Sequence, residues 1–165
     1  MPAPLVIAIE PAASPDAAAL IAALDRDLID RYPDLPTNGI QEQGFESRGG
    51  VFAIGRVGGT PAACGAYRPW ENAAEIKRMF VAHAFRARGF GRVMLRFLEA
   101  EAARRGFSRA VLETGTKQHE AIRLYESEGW TRIPQFGPYL KSQMSVCYGK
   151  TIGVGPGATA SPISR

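Results

Sequence analysis

Seven residues near the middle of the chain, Arg86-Ala87-Arg88-Gly89-Phe90-Gly91-Arg92, are of types that hold phosphate. They fall between an apolar strand pattern and the start of a long amphipathic helix pattern. The first turn of a helix offers unpaired N–H groups, and its dipole favours negative charge. Gly89 and Gly91 let the backbone approach a ligand closely, and the arginines add cationic donors. The chemistry this predicts is a diphosphate cradle. Charge points to the same place: residues 86–109 hold seven of the 16 arginines against Glu99 and Glu101, a net +5, whereas the whole chain carries +4. An anionic ligand is therefore expected here. Two standard phosphate motifs are excluded. A dinucleotide fingerprint needs a third glycine where Met94 stands, and no Gly-Lys-Ser/Thr sequence is present.

Other chemistries find little support. Cys64 and Cys147 lie far apart and outside metal-ligand spacing, and His83 and His119 are too scattered for a metal cluster, so no metal is expected. Two lone cysteines do not make a disulfide scaffold and fit reduced thiols in a cytoplasmic protein. No window of about 18 apolar residues suggests a membrane span, and the N-terminus lacks the basic flank of a secretory signal.

The elements that must position the cradle follow from local patterns. Residues 4–10 read as a strand. Ser14-Pro15-Asp16 opens a helix, with Ser as N-cap and Pro in the first turn, and Leu20, Leu24 and Leu28 give it one buried face. Residues 37–50 read as a loop with one helical turn. Strands over 51–56 and 60–68 flank a Gly58-Gly59 hairpin turn. Residues 74–81 form a further strand, where Ile76, Met79 and Val81 fall out of phase and predict a bulge. Phe90, Val93, Met94, Phe97 and Leu98 mark the apolar face of a helix over 89–105, closed by Gly106. A strand over 109–114, a helix over 118–128 and two final strands near 130–133 and 145–148 complete the pattern. Helices alternate with strands while hairpins also occur, which means an α/β (α+β) mixed sheet. Residues 149–165, with four Gly and two Pro, read as a flexible C-terminal tail after a single domain over 1–148.

In this order the residues resemble a known family. The strand AEIKRMFV, the loop RARGFG and the amphipathic helix are similar to the acetyl-CoA-binding core of the GNAT superfamily of N-acetyltransferases, with its pattern Arg/Gln-x-x-Gly-x-Gly/Ala. VLETGTKQHEAIRLYESEGW resembles the next strand and helix of that family, through Ala121, Leu124, Tyr125, Gly129 and Trp130. IPQFGPYLKSQMSVCYGK resembles the closing strands of a bacterial branch with a Leu-Glu-Thr-Gly signature. The resemblance covers about residues 4–150. It implies a mostly antiparallel sheet of six to seven strands, flanked by about four helices, with a V-shaped splay between strands 75–81 and 109–114.

The resemblance also implies roles. Backbone groups of Met79 and Val81 would pair with the pantetheine amides of acetyl-CoA, as an added strand does. Its diphosphate would rest on the N–H groups of Ala87, Arg88, Gly89, Phe90, Gly91 and Arg92, with the side chains of Arg86, Arg88 and Arg92 nearby. Gln118 stands where many members carry an Asn that contacts the cofactor. Tyr125 matches the usual general acid and is implied as a cofactor contact as well: a phenol stays protonated at pH 7 and can donate to the sulfur of the departing thiolate. Glu75 starts the central strand, where some members place a general base; a solvent-facing acid or an ammonium holder are the alternatives. The acceptor site is implied to lie in Arg31–Gln43 and Gln135–Gln143, with Tyr32, Phe136 and Tyr139 as walls and Asp30, Asp34 and Glu42 as ammonium partners.

The implied activity is acetyl transfer from acetyl-CoA to a primary amine, by direct attack in a ternary complex. A small-molecule amine is the expected acceptor; a protein or aminoacyl-tRNA amine is the variant. An acyl-CoA-binding sensor without turnover is the alternative from another class. Nucleic-acid binding is disfavoured, because Phe90 and Phe97 in the basic stretch read as core positions and not as stacking platforms. A homodimer is compatible with the family, and no membrane partner is expected.

Overall fold

The computed structural model describes residues 3–34 and 44–153. Among them lie seven strands and three α-helices, in the order β1 (Val6–Ile9), α1 (Pro15–Arg31), β2 (Val51–Val57), β3 (Thr60–Trp70), β4 (Ala73–Val81), α2 (Phe90–Arg104), β5 (Arg109–Gly115), α3 (His119–Ser127), β6 (Thr131–Ile133) and β7 (Ser145–Thr151). Short 3-10 turns cover Glu46–Arg48, His83–Phe85 and Gly137–Tyr139. The strand order along the sheet is β1-β2-β3-β4-β5-β7-β6. This is the mostly antiparallel mixed sheet that the sequence implies, with β4 and β5 as a parallel pair. Three α-helices stand where about four were expected.

The chain divides into two compact units, and β3, β4 and α2 run through both. The first comprises Met1–Arg68 and Lys77–Leu98. Here α1 begins as read from the sequence: Ser14 is the N-cap, and its Oγ accepts from the Ala17 N–H at 3.2 Å. Its buried face, Ala17, Leu20, Ile21 and Leu24, joins a core with Phe45, Phe52, Ile54, Cys64, Ala66 and Phe80. Gly58 and Gly59 both take positive φ, +56° and +86°, as a two-residue hairpin requires. Gly65 lets α2 settle close to β3, since a Cβ there would stand 2.6 Å from Leu98 Cδ1 and 2.9 Å from Met79 Sδ.

Two expectations about α2 and β4 meet different outcomes. The out-of-phase burial of β4 has a local cause: Arg78 sits at φ +60° inside the strand, a left-handed turn that breaks the alternation. The apolar face of α2 is rotated from the one expected. Val93 is 44% exposed, whereas Leu95 is fully buried beside Met94 and Leu98.

The second unit comprises Pro69–Ile76 and Glu99–Arg165. In it Ala74, Glu75 and Ile76 of β4 pair in parallel with Ala110, Val111 and Leu112 of β5. β5 pairs along its length with β7, and β6 covers the outer edge of β7. The last strand runs past residue 148, where the tail was expected to begin. Gly149, Lys150 and Thr151 belong to β7, in register with Val111, Ala110 and Arg109. Gly149 serves packing there: a Cβ would meet Arg109 Nη2 at 2.6 Å and Ile133 Cγ2 at 3.1 Å. The rest of the expected tail, from residue 154, lies outside the described residues. No helix among the described residues is long and apolar enough to cross a membrane.

Candidate functional site

The first unit contains the predicted cradle. The strand half Lys77–Val81 leads through the turn His83–Phe85 into the loop and then into α2. Ala87 and Gly89 both take left-handed backbone, at φ +65° and +80°. Residues alternating in this way turn successive N–H groups toward one side, the arrangement that receives anions. The Gly89 carbonyl accepts from the Val93 N–H at 3.2 Å, so the helix opens at the loop. A Cβ on Gly89 would meet nothing within 4 Å, which leaves room for a ligand above the backbone.

The side chains of this stretch divide into three kinds. Phe90 is buried, so only its N–H is on offer, and the Met79 side chain points toward Gly65, which likewise leaves its backbone. Arg88 is exposed; its guanidinium stacks over Phe85, 5.4 Å from the ring centre, and reaches the Ala84 carbonyl at 3.5 Å. Gly91 and Arg92 are half-buried in the first turn of α2. Arg86 is committed to the protein: Nε donates to the Val81 carbonyl at 2.8 Å, and Nη2 donates to Asp27 Oδ2 at 2.7 Å. The Val81 carbonyl thereby holds Arg86 against the end of β4.

The second unit contains the acid–base candidates. Glu75 is buried, 1% exposed, which overturns the alternative of a solvent-facing strand acid. Its Oε2 accepts a hydrogen bond from the Tyr139 hydroxyl at 3.0 Å. Tyr139 is itself 2% exposed and stands edge-on to Phe136, with ring centres 5.4 Å apart. Phe136 in turn lies 5.7 Å from Trp70. Such tilted pairs are the favoured aromatic geometry. Gly137 makes the packing possible: at φ +53°, a Cβ there would meet Trp70 Cη2 at 2.8 Å. The segment is also tied at its ends, since Gln135 Nε2 donates to the carbonyls of Ser142 and Ser145 at 2.7 and 2.9 Å.

Tyr125 lies on α3 and is buried, flanked by the rings of Trp130 and Tyr148 at 6.1 and 6.3 Å. Burial pushes its phenol well above the ordinary range, and the Glu113 carboxylate adds to the shift. The hydroxyl therefore holds its proton at any physiological pH. Glu113 accepts from Ser145 Oγ at 2.7 Å. Gln118 precedes α3, and its Oε1 accepts from the Gly115 N–H at 2.9 Å and from Thr114 Oγ1 at 3.3 Å.

The two thiols do not fit nucleophilic roles. Burial pushes Cys64 up to about 12 and raises Cys147, where Glu113 and Glu75 add to the rise. Both behave as small core residues, as the sequence suggests. No group of three or more His, Cys, Asp or Glu among the described residues could hold a metal.

Of the other expected acceptor residues, Tyr32 is the buried C-cap of α1 in the first unit, and Asp30 and Asp34 are exposed. Residues 35–43, with Glu42, lie outside the described residues. Two residues of the second unit were missed, Trp70 and Glu113. Glu113 stands inside the Leu-Glu-Thr-Gly stretch that the sequence singles out; Trp70 carries no local signal.

Comparison with known proteins gives this geometry a family. The Acetyltransferase (GNAT) family pattern matches residues 17–130. The chain belongs to the GNAT family and is an acyltransferase. It is 36% identical to an IAA acetyltransferase of Azospirillum brasilense over 129 residues, which is 77% of this chain and 84% of the relative. A Klebsiella pneumoniae protein assigned as an acyl-CoA N-acyltransferase has 30% identity and a TM-score of 0.75, with 90% of this chain and 97% of that chain covered. A GNAT family acetyltransferase of Elizabethkingia anophelis, solved with acetyl-CoA bound, shares the fold at 17% identity, with a TM-score of 0.65 and coverage of 89% and 97%.

Proposed function

We propose that this acyltransferase moves the acetyl group of acetyl-CoA to a primary amine of a small molecule, by direct attack in a ternary complex. The observation that carries the proposal is the pairing of roles in the second unit: a buried hydroxyl, Tyr125, that keeps its proton, and a buried carboxylate, Glu75, held by Tyr139. Proton donor and proton acceptor in separate environments are what amine acylation asks of a protein.

The residues present fit acetyl-CoA. The left-handed backbone at Ala87 and Gly89 and the open space at Gly89 suit a diphosphate on the N–H groups of residues 87–92. The N–H groups of Met79 and Val81 would align the pantetheine arm, and Gln118 would offer its Nε2, since its Oε1 is taken by Gly115. Acetyl-CoA when bound supplies the activated thioester. Glu75 would take the proton from the incoming ammonium, and Tyr125 would give its proton to the departing sulfur. The raised thiols of Cys64 and Cys147 support direct attack over a covalent enzyme thioester. Much of the rate would come from holding the two substrates together.

The test is CoA-thiol release from acetyl-CoA across a panel of amino acids, polyamines, aminoglycosides and lysine peptides. Amine-dependent release with one of the free small amines is expected. Release only with peptides would move the acceptor to a protein, and acetyl-CoA binding with no release from any amine would favour a sensor.

A further inference from the structure

We propose that Asp25 and Asp27 of α1 are positioning residues for acetyl-CoA, acting through Arg78 and Arg86, and that Arg86 braces the diphosphate loop and does not bind phosphate itself. The proposal rests on the reading of residues 87–92 as the diphosphate site.

Charge counting along the sequence assigns Arg86 to the anion. Its geometry assigns it elsewhere. The guanidinium is bonded to Asp27 Oδ2 and to the Val81 carbonyl, and it lies over the Phe80 ring at 5.4 Å. All three partners belong to the first unit, and to reach a phosphate the side chain would have to leave them. One residue later the backbone enters the left-handed conformation at Ala87. Arg86 thus ties the end of β4 to the start of the loop at the point where the loop takes its unusual shape.

Arg78 repeats the device eight residues earlier. It carries the other left-handed φ of a non-glycine residue in this segment, +60°, which turns the strand just before Met79. Its Nη1 donates to Asp25 Oδ1 at 2.8 Å with the side chain only 7% exposed. The Cys64 thiol donates to the Arg78 carbonyl at 3.3 Å and fixes the same turn from β3. Such conformations persist only where their surroundings hold them.

Helix geometry explains how one helix serves both points. At 100° per residue, Asp25 and Asp27 lie on opposite sides of the stripe formed by Leu20, Leu24 and Leu28, roughly 100° and 60° from its centre. With that stripe in the core, one carboxylate emerges on each flank. The two ion pairs bracket the segment Met79–Phe85, which delivers the backbone groups assigned to the cofactor.

The experiment is calorimetric titration of the full chain with acetyl-CoA, for the wild type, Asp25→Asn, Asp27→Asn, Arg86→Gln and the double variant of Asp27 and Arg86, at several salt concentrations. Two accounts predict opposite signs. Asp27 is a negative charge within hydrogen-bond reach of the loop, so if Arg86 were a phosphate ligand, Asp27→Asn would release it and tighten binding of an anion. Positioning predicts weaker binding, by about two- to fivefold for a half-exposed pair. Arg86→Gln should weaken binding equally, the double variant should add nothing, and the salt dependence should keep its slope because no phosphate contact is lost. Asp25→Asn strands a buried guanidinium and should give the larger loss, about tenfold. Tighter or unchanged binding in Asp27→Asn, additive losses, or a flattened salt dependence in Arg86→Gln would overturn the proposal. Failure of the wild type to bind acetyl-CoA would overturn the underlying diphosphate reading, and this inference with it.

Discussion

The loop 86–92 and the buried group around Glu75, the two proposed sites, are built from different parts of the chain. The loop offers backbone. Its two left-handed residues and the open turn of α2 present N–H groups, while Phe90 is turned into the core and Arg86 is held by Asp27 and Val81. The group around Glu75 offers side chains: a carboxylate and a phenol joined across 64 residues of sequence, the phenol ring edge-on to Phe136, which in turn packs tilted on Trp70. A region that acts through backbone tolerates changes of side chain but not of φ. A region that acts through side chains tolerates neither a lost oxygen nor a shifted ring.

This contrast can be broken by substitution. Glu75→Gln keeps the shape and removes the proton acceptor; turnover should fall about a hundredfold, with acetyl-CoA affinity unchanged in a calorimetric titration. A loss of affinity equal to the loss of turnover would show that Glu75 shapes the cofactor site instead. Gly89→Val forces a branched residue to φ +80° and should weaken acetyl-CoA about tenfold, or the helix start should be destabilised by about 1–2 kcal/mol in thermal unfolding. Arg88→Ala removes an exposed cation whose contacts are a ring and one long hydrogen bond; less than a threefold loss of affinity is expected, vanishing in high salt. An effect of Arg88→Ala larger than that of Gly89→Val would reverse the ranking of side chain and backbone in this loop.

The same contrast governs what could be read in advance. The glycine loop leading into α2 was legible because its signals are local: glycines, arginines and a helix period within a few residues. So were the Ser14 cap, the Gly58-Gly59 turn and the broken alternation of β4. The tie between Glu75 and Tyr139 was not legible, since no local pattern reports a hydrogen bond between the start of one strand and a turn far along the chain. Trp70 was missed for the same reason, its partners being Phe136 and Gly137. Two errors came from local signals with two causes. Gly149 read as the start of a tail, yet it is a glycine that packs closely against Arg109 inside β7. Val93 and Leu95 both fit a helical apolar face, and only the tertiary fold selects Leu95 for the core.

Tyr125, read both as a cofactor contact and as a proton donor, is proposed to matter chiefly as the donor. Tyr125→Phe separates the two with one missing oxygen. We expect turnover, read as CoA-thiol release with the best amine of the panel, to fall about a hundredfold or more while acetyl-CoA affinity stays within about threefold. Because burial and Glu113 raise this phenol, its proton is retained above the ordinary range, and the wild type should show no loss of rate from Tyr125 ionisation up to about pH 10. Full activity in Tyr125→Phe, or a loss explained entirely by weaker acetyl-CoA binding, would contradict the account.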